Sequence, residues 1–512
     1  SVKCRCVVAA SVAVEQHEIE TGWRLCWAEP RSKSSKARGP SLLDQFEDLA
    51  AREEAVGIRC GQPFLLGPGG MPDVDVLEFF RSTAFHTLAS GSQQSYALDL
   101  RLFLTFLSGQ GVDWRAATES DLEDFEHWRR RDGANPRRIS SSKFSRELAA
   151  IGKFYGWQQR RGVVRSSPVV MRERELPSGE SAVAPVLRPK AVRSVRLKWL
   201  TPRAYRRWRD VGLGGYLADG TRDVSWRGRN DGRNLAFSET LWSSGLRLRE
   251  GGTLLLDELP QFEIESRYFR GRLAKAVAKG RGRDYWIHGR ALKLIDNYVI
   301  TERAAAVRRA HREHRYENIP DIKIVEKIDR SRRVHYRTRS GDQKVTPLDA
   351  LTSTDRMRFF IEAEDGLQPW MVWLSEAGMP LPYRTWQAIF SDASRRCTTL
   401  GFDLDCHPHM LRHSFALRML MTLIYAHDRR MGITPEERRE FRLIFGDPWV
   451  LVQTLLGHAN LETTRQCYLE PVSGLQVELF LNDDDLEESS ITDLMSRVAR
   501  ASAKVIDVKE NP

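Results

Sequence analysis

The sequence has no apolar run long enough to span a membrane, which argues against a helical membrane protein. The segment from Cys6 to Val14 is apolar but short, and Glu15 opens a charged stretch after it, so an intracellular, cytoplasmic protein is expected rather than a secreted one. Cysteine is scarce and irregular. The seven positions are 4, 6, 26, 60, 397, 406 and 467, an odd and scattered set that does not form a disulfide framework. Cys4, Cys6, Cys26 and Cys60, with His17 nearby, leave a zinc site open, although their spacing fits no strong pattern. Internal repeats are absent. Acidic residues are outnumbered, 68 Asp and Glu against 79 Lys and Arg, for a net charge of +11. That excess favours a polyanionic partner such as nucleic acid.

What is present reads as about two to four globular domains in 512 residues. Residues 1–74 form an extension of open role: a basic, Ser-rich stretch from Arg31 to Arg38, then helical spacing at Leu43, Phe46 and Leu49. It is either an additional DNA- or partner-binding module or a helical extension packed on its neighbour. Residues 75–168 read as a compact helical domain. Tyr96, Leu100, Phe103 and Leu107 share one helix face, and so do Phe144, Leu148, Ile151 and Tyr155. Thr118 stands three before Asp121, the spacing of a capping box. Basic residues gather at the helix ends and loops of this domain: Arg129, Arg130, Arg131, Arg137, Arg138, Lys143, Arg160 and Arg161. Cations in such places suit phosphate contacts, or otherwise a solvated charged face.

Residues 169–198 read as an extended basic linker, and Leu200-Thr201-Pro202 as the start of a new helix. Ala236 to Gly245 is helical. Arg267 to Arg272 and Tyr285 to Ile287 read as strands around the basic, glycine-rich turn Lys279-Gly280-Arg281-Gly282-Arg283. Residues 313–364 form a charged interlude in which Val334 to Val345 alternates as a β-hairpin around Ser340-Gly341-Asp342. From Trp370 to Tyr468 mostly helix is expected. Residues 475–512 are an apolar and then acidic tail.

Four short motifs carry chemistry. Ser244-Gly245-Leu246-Arg247 puts an arginine beside a helix-breaking glycine, with Glu250 three residues on to hold its guanidinium. Lys279 sits in the turn between strands, a mobile place from which an ammonium could reach a leaving oxygen. His409 and Arg412 lie three apart on one helix face; alone, that pair is usually a surface feature. Leu455-Leu456-Gly457-His458 is followed ten residues later by Tyr468. Metal-free phosphodiester transfer needs a nucleophile, cations on the non-bridging oxygens, a base and an acid. Arginine suits the oxygens because its fork of donors stays charged.

In this order the motifs resemble those of the tyrosine recombinase (phage integrase) family, over about residues 75–480. The resemblance implies a mainly α fold with a small β-sheet: a helical, SAM-like core-binding domain and a mixed α/β catalytic domain at 199–474, which clamp DNA from opposite sides. It implies that Arg247 and Arg412 hold the scissile phosphate, and that Tyr468 attacks it to leave a 3′-phosphotyrosyl link. Lys279 would protonate the leaving 5′-oxygen, His409 would act as base, His458 would hydrogen-bond the phosphate and Glu250 would support the site. Arg281 and Arg283 join the helical domain's cations as candidate DNA contacts. The resemblance also implies no cofactor, metal or ATP, duplex DNA as partner, a homotetramer of two dimers on DNA, accessory recombination proteins, and a role in integration, excision or transposition of a mobile element. After the tyrosine, residues 476–481 would pack on a neighbouring subunit. The interval from His458 to Tyr468 is one residue longer than in commoner members, residues 313–364 are an insertion, and residues 1–74 have no counterpart in the minimal family. A type IB topoisomerase-like or telomere-resolving enzyme shares the chemistry. A DNA-binding accessory protein without catalysis is the alternative of another class.

Overall fold

The structure, a computed structural model, describes residues 22–28, 61–175, 181–189, 198–261, 266–319, 321–429, 448–456, 496, 499 and 504–508. Two compact units divide the chain between Ser194 and Val195.

The first unit opens with an antiparallel pair, β1 (Arg24–Trp27) and β2 (Pro63–Leu66). Helices α1 (Val74–Arg81), α2 (Thr83–His86), α3 (Ser90–Gly109), α4 (Glu119–Arg130) and α5 (Ser141–Arg160) follow. The expected apolar stripes face inward: Leu100, Phe103 and Leu107 of α3 share one core with Phe144, Leu148, Ile151 and Tyr155 of α5. The Thr118–Asp121 capping box opens α4, with Thr118 N donating to Asp121 Oδ2 at 2.7 Å. The strand pair joins the same core through Trp23, Leu25 and Leu65. Trp23 is pinned to α3, its Nε1 donating to Ser108 Oγ at 2.9 Å and its backbone N to Thr105 Oγ1 at 3.1 Å. The described part of the N-terminal region therefore packs as β structure; the helical spacing expected at Leu43, Phe46 and Leu49 lies outside the described residues. Residues read as a linker also pair, as the antiparallel β3 (Met171–Glu175) and β4 (Ser181–Pro185).

The second unit starts with β5 (Trp199–Leu200) and α6 (Pro202–Trp208), which has Thr201 as N-cap and Pro202 in its first turn. Its central element is α7 (Asp231–Ser244), buried almost all round. Phe237 stacks on Trp386 with centroids 3.6 Å apart and meets Trp373 edge-on, while Trp242 stacks on Tyr205. Helix α7 stops at Gly245, whose φ of 64° is the left-handed terminator; a Cβ there would lie 2.3 Å from Phe415. The short α8 (Leu248–Gly252) starts immediately after it.

Strands β6 (Tyr268–Leu273) and β7 (Arg283–His288) form the expected hairpin, followed by α9 (Gly289–Tyr298) and α10 (Ala304–Arg312). The charged interlude holds more order than its sequence signals. Strands β8 (Lys323–Ile328), β9 (Arg333–Thr338) and β10 (Gln343–Pro347) precede the single turn α11 (Ser353–Arg356), then β11 (Phe359–Ala363) and β12 (Gly366–Pro369). They make one sheet in the order β10-β9-β8-β11-β12, with β8 and β11 parallel. Its root is a buried ion pair, Arg356 Nη2 to Glu258 Oε1 at 2.8 Å, with Arg356 Nη1 also donating to Thr253 O. Helix does not begin at Trp370 as expected. The stretch to Arg384 runs in turns and bridges, since Pro380 and Pro382 each lack a backbone N–H and Gly378 takes a φ of 75°.

Helices α12 (Thr385–Thr399), α13 (Pro408–Arg429) and α14 (Pro448–Leu456) complete the described helical part. Strand β13 (Val505–Ile506) then pairs in parallel with β5 of the same chain, and Thr201 N donates to Ile506 O at 3.0 Å. The described end of the tail thus folds back on its own unit. Residues 476–481 lie outside the described residues, as do Cys4, Cys6, Cys60 and His17. Cys26 is fully buried in β1, and among the described residues no group of His, Cys, Asp and Glu could hold a metal. Nor is any described helix long and apolar enough to cross a membrane.

The strand pair makes a testable contribution. Trp23→Ala removes a buried indole and its hydrogen bond to Ser108, leaving the backbone link to Thr105, and is expected to cost about 3–5 kcal/mol. Hydrogen exchange of the buried α3 amides measures it. Unchanged protection would show that β1 and β2 lie outside the helical core.

Candidate active site

The site grows from the turn between α7 and α8. Gly245 ends one helix, and two residues later Arg247 caps the next with extended backbone. Glu250 is then the third residue of α8. Its carboxylate reaches back to accept Arg247 N at 2.8 Å, one half of a capping box. The other carboxylate oxygen accepts Arg247 Nη1 at 2.7 Å. Glu250 is wholly buried, and it binds a second guanidinium through Arg283 Nη2 at 2.8 Å. Burial alone would push its pKa up; the charges of Arg283, Arg412 and Arg247 outweigh that and hold it below the ordinary value.

Helix α13 contributes the next pair. His407 precedes Pro408, and its Nδ1 accepts Met410 N at 3.2 Å, closing the first turn. Arg412 is buried and splays between two carbonyls, Nη1 to Gly245 O at 2.6 Å and Nη2 to Leu456 O at 2.5 Å. It therefore joins the end of α7 to the end of α14. One turn earlier, His409 keeps an exposed face, and its ring meets that of the buried His413 at 4.3 Å. Its pKa is pushed down to about 4, first by loss of water around the ring and then by Arg412, His407, Arg247 and Lys279. It stands neutral at neutral pH.

Lys279 lies between β6 and β7 with an exposed side chain. Its backbone is left-handed, φ 52°, as is that of Gly280 at 82°. Within the turn Val277 and Ala278 are buried, Gly280 N donates to Lys275 O, and Arg249 Nε donates to Val277 O at 3.1 Å. Loss of water and the charges of Arg247, Arg249 and Arg412 lower the Lys279 pKa. Arg247, Glu250, Lys279, His409 and Arg412 thus share one electrostatic neighbourhood. The side that carries Lys279 and His409 is open to solvent, with Arg247 half-buried beside them. His458 and Tyr468 lie outside the described residues; α14 ends at Leu456, two residues before His458.

The cations expected to face DNA separate into two groups. Arg137, Arg138, Lys143, Arg160 and Arg281 are exposed, as is Arg161, which stacks over Trp157. Arg129 is instead buried, its Nε and Nη2 on Glu147 at 3.0 and 2.7 Å, a link between α4 and α5. Arg130 is mostly covered and bonds Glu126 and Ser141. Arg283 is committed to Glu250 and to Leu455 O, at 2.8 Å each. Arg129 and Arg283 are taken up by groups farther along the chain, Glu147, Glu250 and the Leu455 carbonyl, whereas Arg130 pairs with Glu126 one turn before it on α4. Arg249, which anchors the lysine turn, was not singled out by sequence; its only signal is its place between Arg247 and Glu250.

The buried carboxylate gives a direct test. Glu250→Gln keeps the shape and removes the charge that both guanidinium groups face, and is expected to destabilise the second unit by about 3–5 kcal/mol. Urea unfolding followed by tryptophan fluorescence measures it. A loss below about 1 kcal/mol, the scale of an exposed pair, would contradict the ion-pair account.

Residues 85–162 match the family described as phage integrase, N-terminal SAM-like domain. No curated protein matches the sequence. Among solved structures, the chain is similar to the XerH site-specific recombinase bound to palindromic difH substrate in a post-cleavage complex, at 13% identity over 80% of this chain and 88% of that one, with a TM-score of 0.43. It is also similar to the Tn1549 transposon integrase in complex with a circular intermediate DNA, at 11% identity over 75% and 93%, TM-score 0.40. The XerA recombinase matches at 13% identity over 79% and 96%, TM-score 0.29. Residues 85–162 are thus a SAM-like N-terminal domain of the phage-integrase type.

Proposed function

We propose that the protein is a site-specific DNA recombinase that cuts and rejoins duplex DNA through a 3′-phosphotyrosyl intermediate on Tyr468, in the movement of a mobile element. The observation that carries this reading is the convergence of Arg247 and Arg412, from two different helices, around the buried Glu250, with His409 and Lys279 on the open side. The two guanidinium groups supply fixed positive charge for the non-bridging oxygens of one phosphate. The Tyr468 hydroxyl attacks phosphorus as its proton passes to His409, which is neutral and able to accept it. The bond from phosphorus to the 5′-oxygen breaks, and that oxygen takes a proton from Lys279, whose lowered pKa makes it a readier acid. His458 hydrogen-bonds the phosphate. The covalent link conserves the bond energy, so the 5′-hydroxyl of a partner strand can attack it in turn. Exchange between two duplexes cuts four strands, which calls for four chains, arranged as two dimers. The exposed cations Arg137, Arg138, Lys143, Arg160, Arg161 and Arg281 would neutralise backbone phosphates.

Two outcomes test the reading. Nicked duplexes tiled across the genomic DNA flanking the gene are incubated with wild type and Tyr468→Phe, and covalent adducts are resolved on denaturing gels. Wild type is expected to form an adduct and Tyr468→Phe none, with DNA affinity within about threefold because only one hydroxyl is lost. Loss of affinity along with the adduct would contradict the assignment. The pH profile is the second outcome. His409 works unprotonated, so cleavage per free enzyme and DNA should persist below its ordinary pKa of 6.5 and fall only as pH approaches about 4. An acid limb near 6.5 that is absent in His409→Gln would show that the proton acceptor is not held neutral as described.

A further inference from the structure

Helix α14 ends at Leu456, and Gly457 and His458 come next in the chain. The carbonyls of Leu455 and Leu456 stand in its last described turn. Two arginines take them up: Arg283 Nη1 donates to Leu455 O at 2.8 Å, and Arg412 Nη2 to Leu456 O. The two are not equivalent. In the proposed reaction Arg412 is given to the phosphate, whereas Arg283 touches no reacting group. Its other terminal nitrogen, Nη2, is on Glu250 Oε2, the carboxylate that holds Arg247. One guanidinium, fixed at the first residue of β7, therefore spans the phosphate-binding turn and the helix end that leads to His458 and Tyr468.

Stability is a poor reason for this residue. The side chain is largely buried, and its Nε is buried without a hydrogen-bond partner. Well-packed apolar side chains commonly match or exceed a buried ion pair in stability. What a guanidinium alone provides is a rigid planar fork with two terminal nitrogens, able to fix two acceptors from different elements at a set separation.

We infer that Arg283 is a positioning residue, which holds the described end of α14, from which the chain runs on to His458 and Tyr468, in register with the Arg247–Glu250 pair. The inference rests on the proposed nucleophile. Its chemical consequence is that attack geometry, rather than DNA binding, depends on Arg283.

The test uses the full-length chain with Arg283→Lys, which keeps the charge but not the fork, and Arg283→Met, which keeps bulk alone. Hydrogen exchange of peptides covering 448–468 is compared with that of α7 and α9. In parallel, single-turnover cleavage is measured on the same tiled nicked duplexes, as the rate at saturating DNA and the half-saturating concentration. Arg283→Lys is expected to speed exchange at 456–468 roughly tenfold or more while α7 and α9 stay unchanged. It should slow cleavage at saturating DNA roughly 10- to 100-fold and leave half-saturation unchanged. Arg283→Met should do the same or more. Wild-type exchange, wild-type cleavage at saturation, or faster exchange spread evenly across the unit would each overturn the inference. If wild type cuts none of the duplexes while exchange loosens only at 456–468, the tether stands and the proposed function fails instead.

Discussion

A carboxylate with no access to water is the constraint on which this site depends. Glu250 is wholly buried, and a charge there is tolerable only with paired cations and hydrogen bonds on its oxygens. Arg247 supplies a backbone and a side-chain donor and Arg283 a third, with the charge of Arg412 nearby. Each of these arginines comes from a different element: the start of α8, the start of β7 and the second turn of α13. Satisfying one carboxylate therefore ties α8 to β7, while Arg412 ties α13 to the end of α7 through Gly245 O. The end of α14 is drawn in as well, through Leu455 and Leu456.

The same arrangement sets the protonation states around it. More positive than negative charge meets at this point, and Glu250 is its only buried anion among the described residues of the cluster. Groups that gain a positive charge on protonation resist doing so here. His409 is held neutral, and Lys279 is made a better proton donor than a free ammonium. A bound phosphodiester would relieve that excess of charge, which matches the site to an anion. Both shifts come first from loss of water around the groups and then from arginines placed for another reason.

Much of this was legible in the sequence wherever the physics is local. The helices of the first unit are marked by apolar residues at helical spacing and by a capping box at Thr118. The hairpins around Lys279 and Gly341 are marked by alternation across a turn. The Arg247–Glu250 pair follows from a spacing of three after a helix-ending glycine. What was not legible depends on partners distant in the chain. Nothing near Arg24 specifies Leu66 as its neighbour, and the parallel pairing of Phe359 with Lys323 needs the whole insertion in place. Arg129 and Arg283 have the look of surface cations until Glu147 and Glu250 are brought to them by folding. Composition misled in the 169–198 stretch, where Pro- and Ser-rich sequence still forms paired strands, and after Trp370, where prolines displace the expected helix.

The central claim is that this cation cluster serves a tyrosine nucleophile ten residues beyond His458. It is tested most directly by finding the residue that carries the DNA. A wild-type adduct on a nicked duplex is digested with nuclease and protease, and the peptide bearing the residual 3′-nucleotide is sequenced by mass spectrometry. The account predicts one modified peptide, with the nucleotide on Tyr468. The nucleotide on Tyr425, Tyr383 or any other residue would contradict it, and would require a different route from the Arg247–Arg412 pair to the reacting phosphorus.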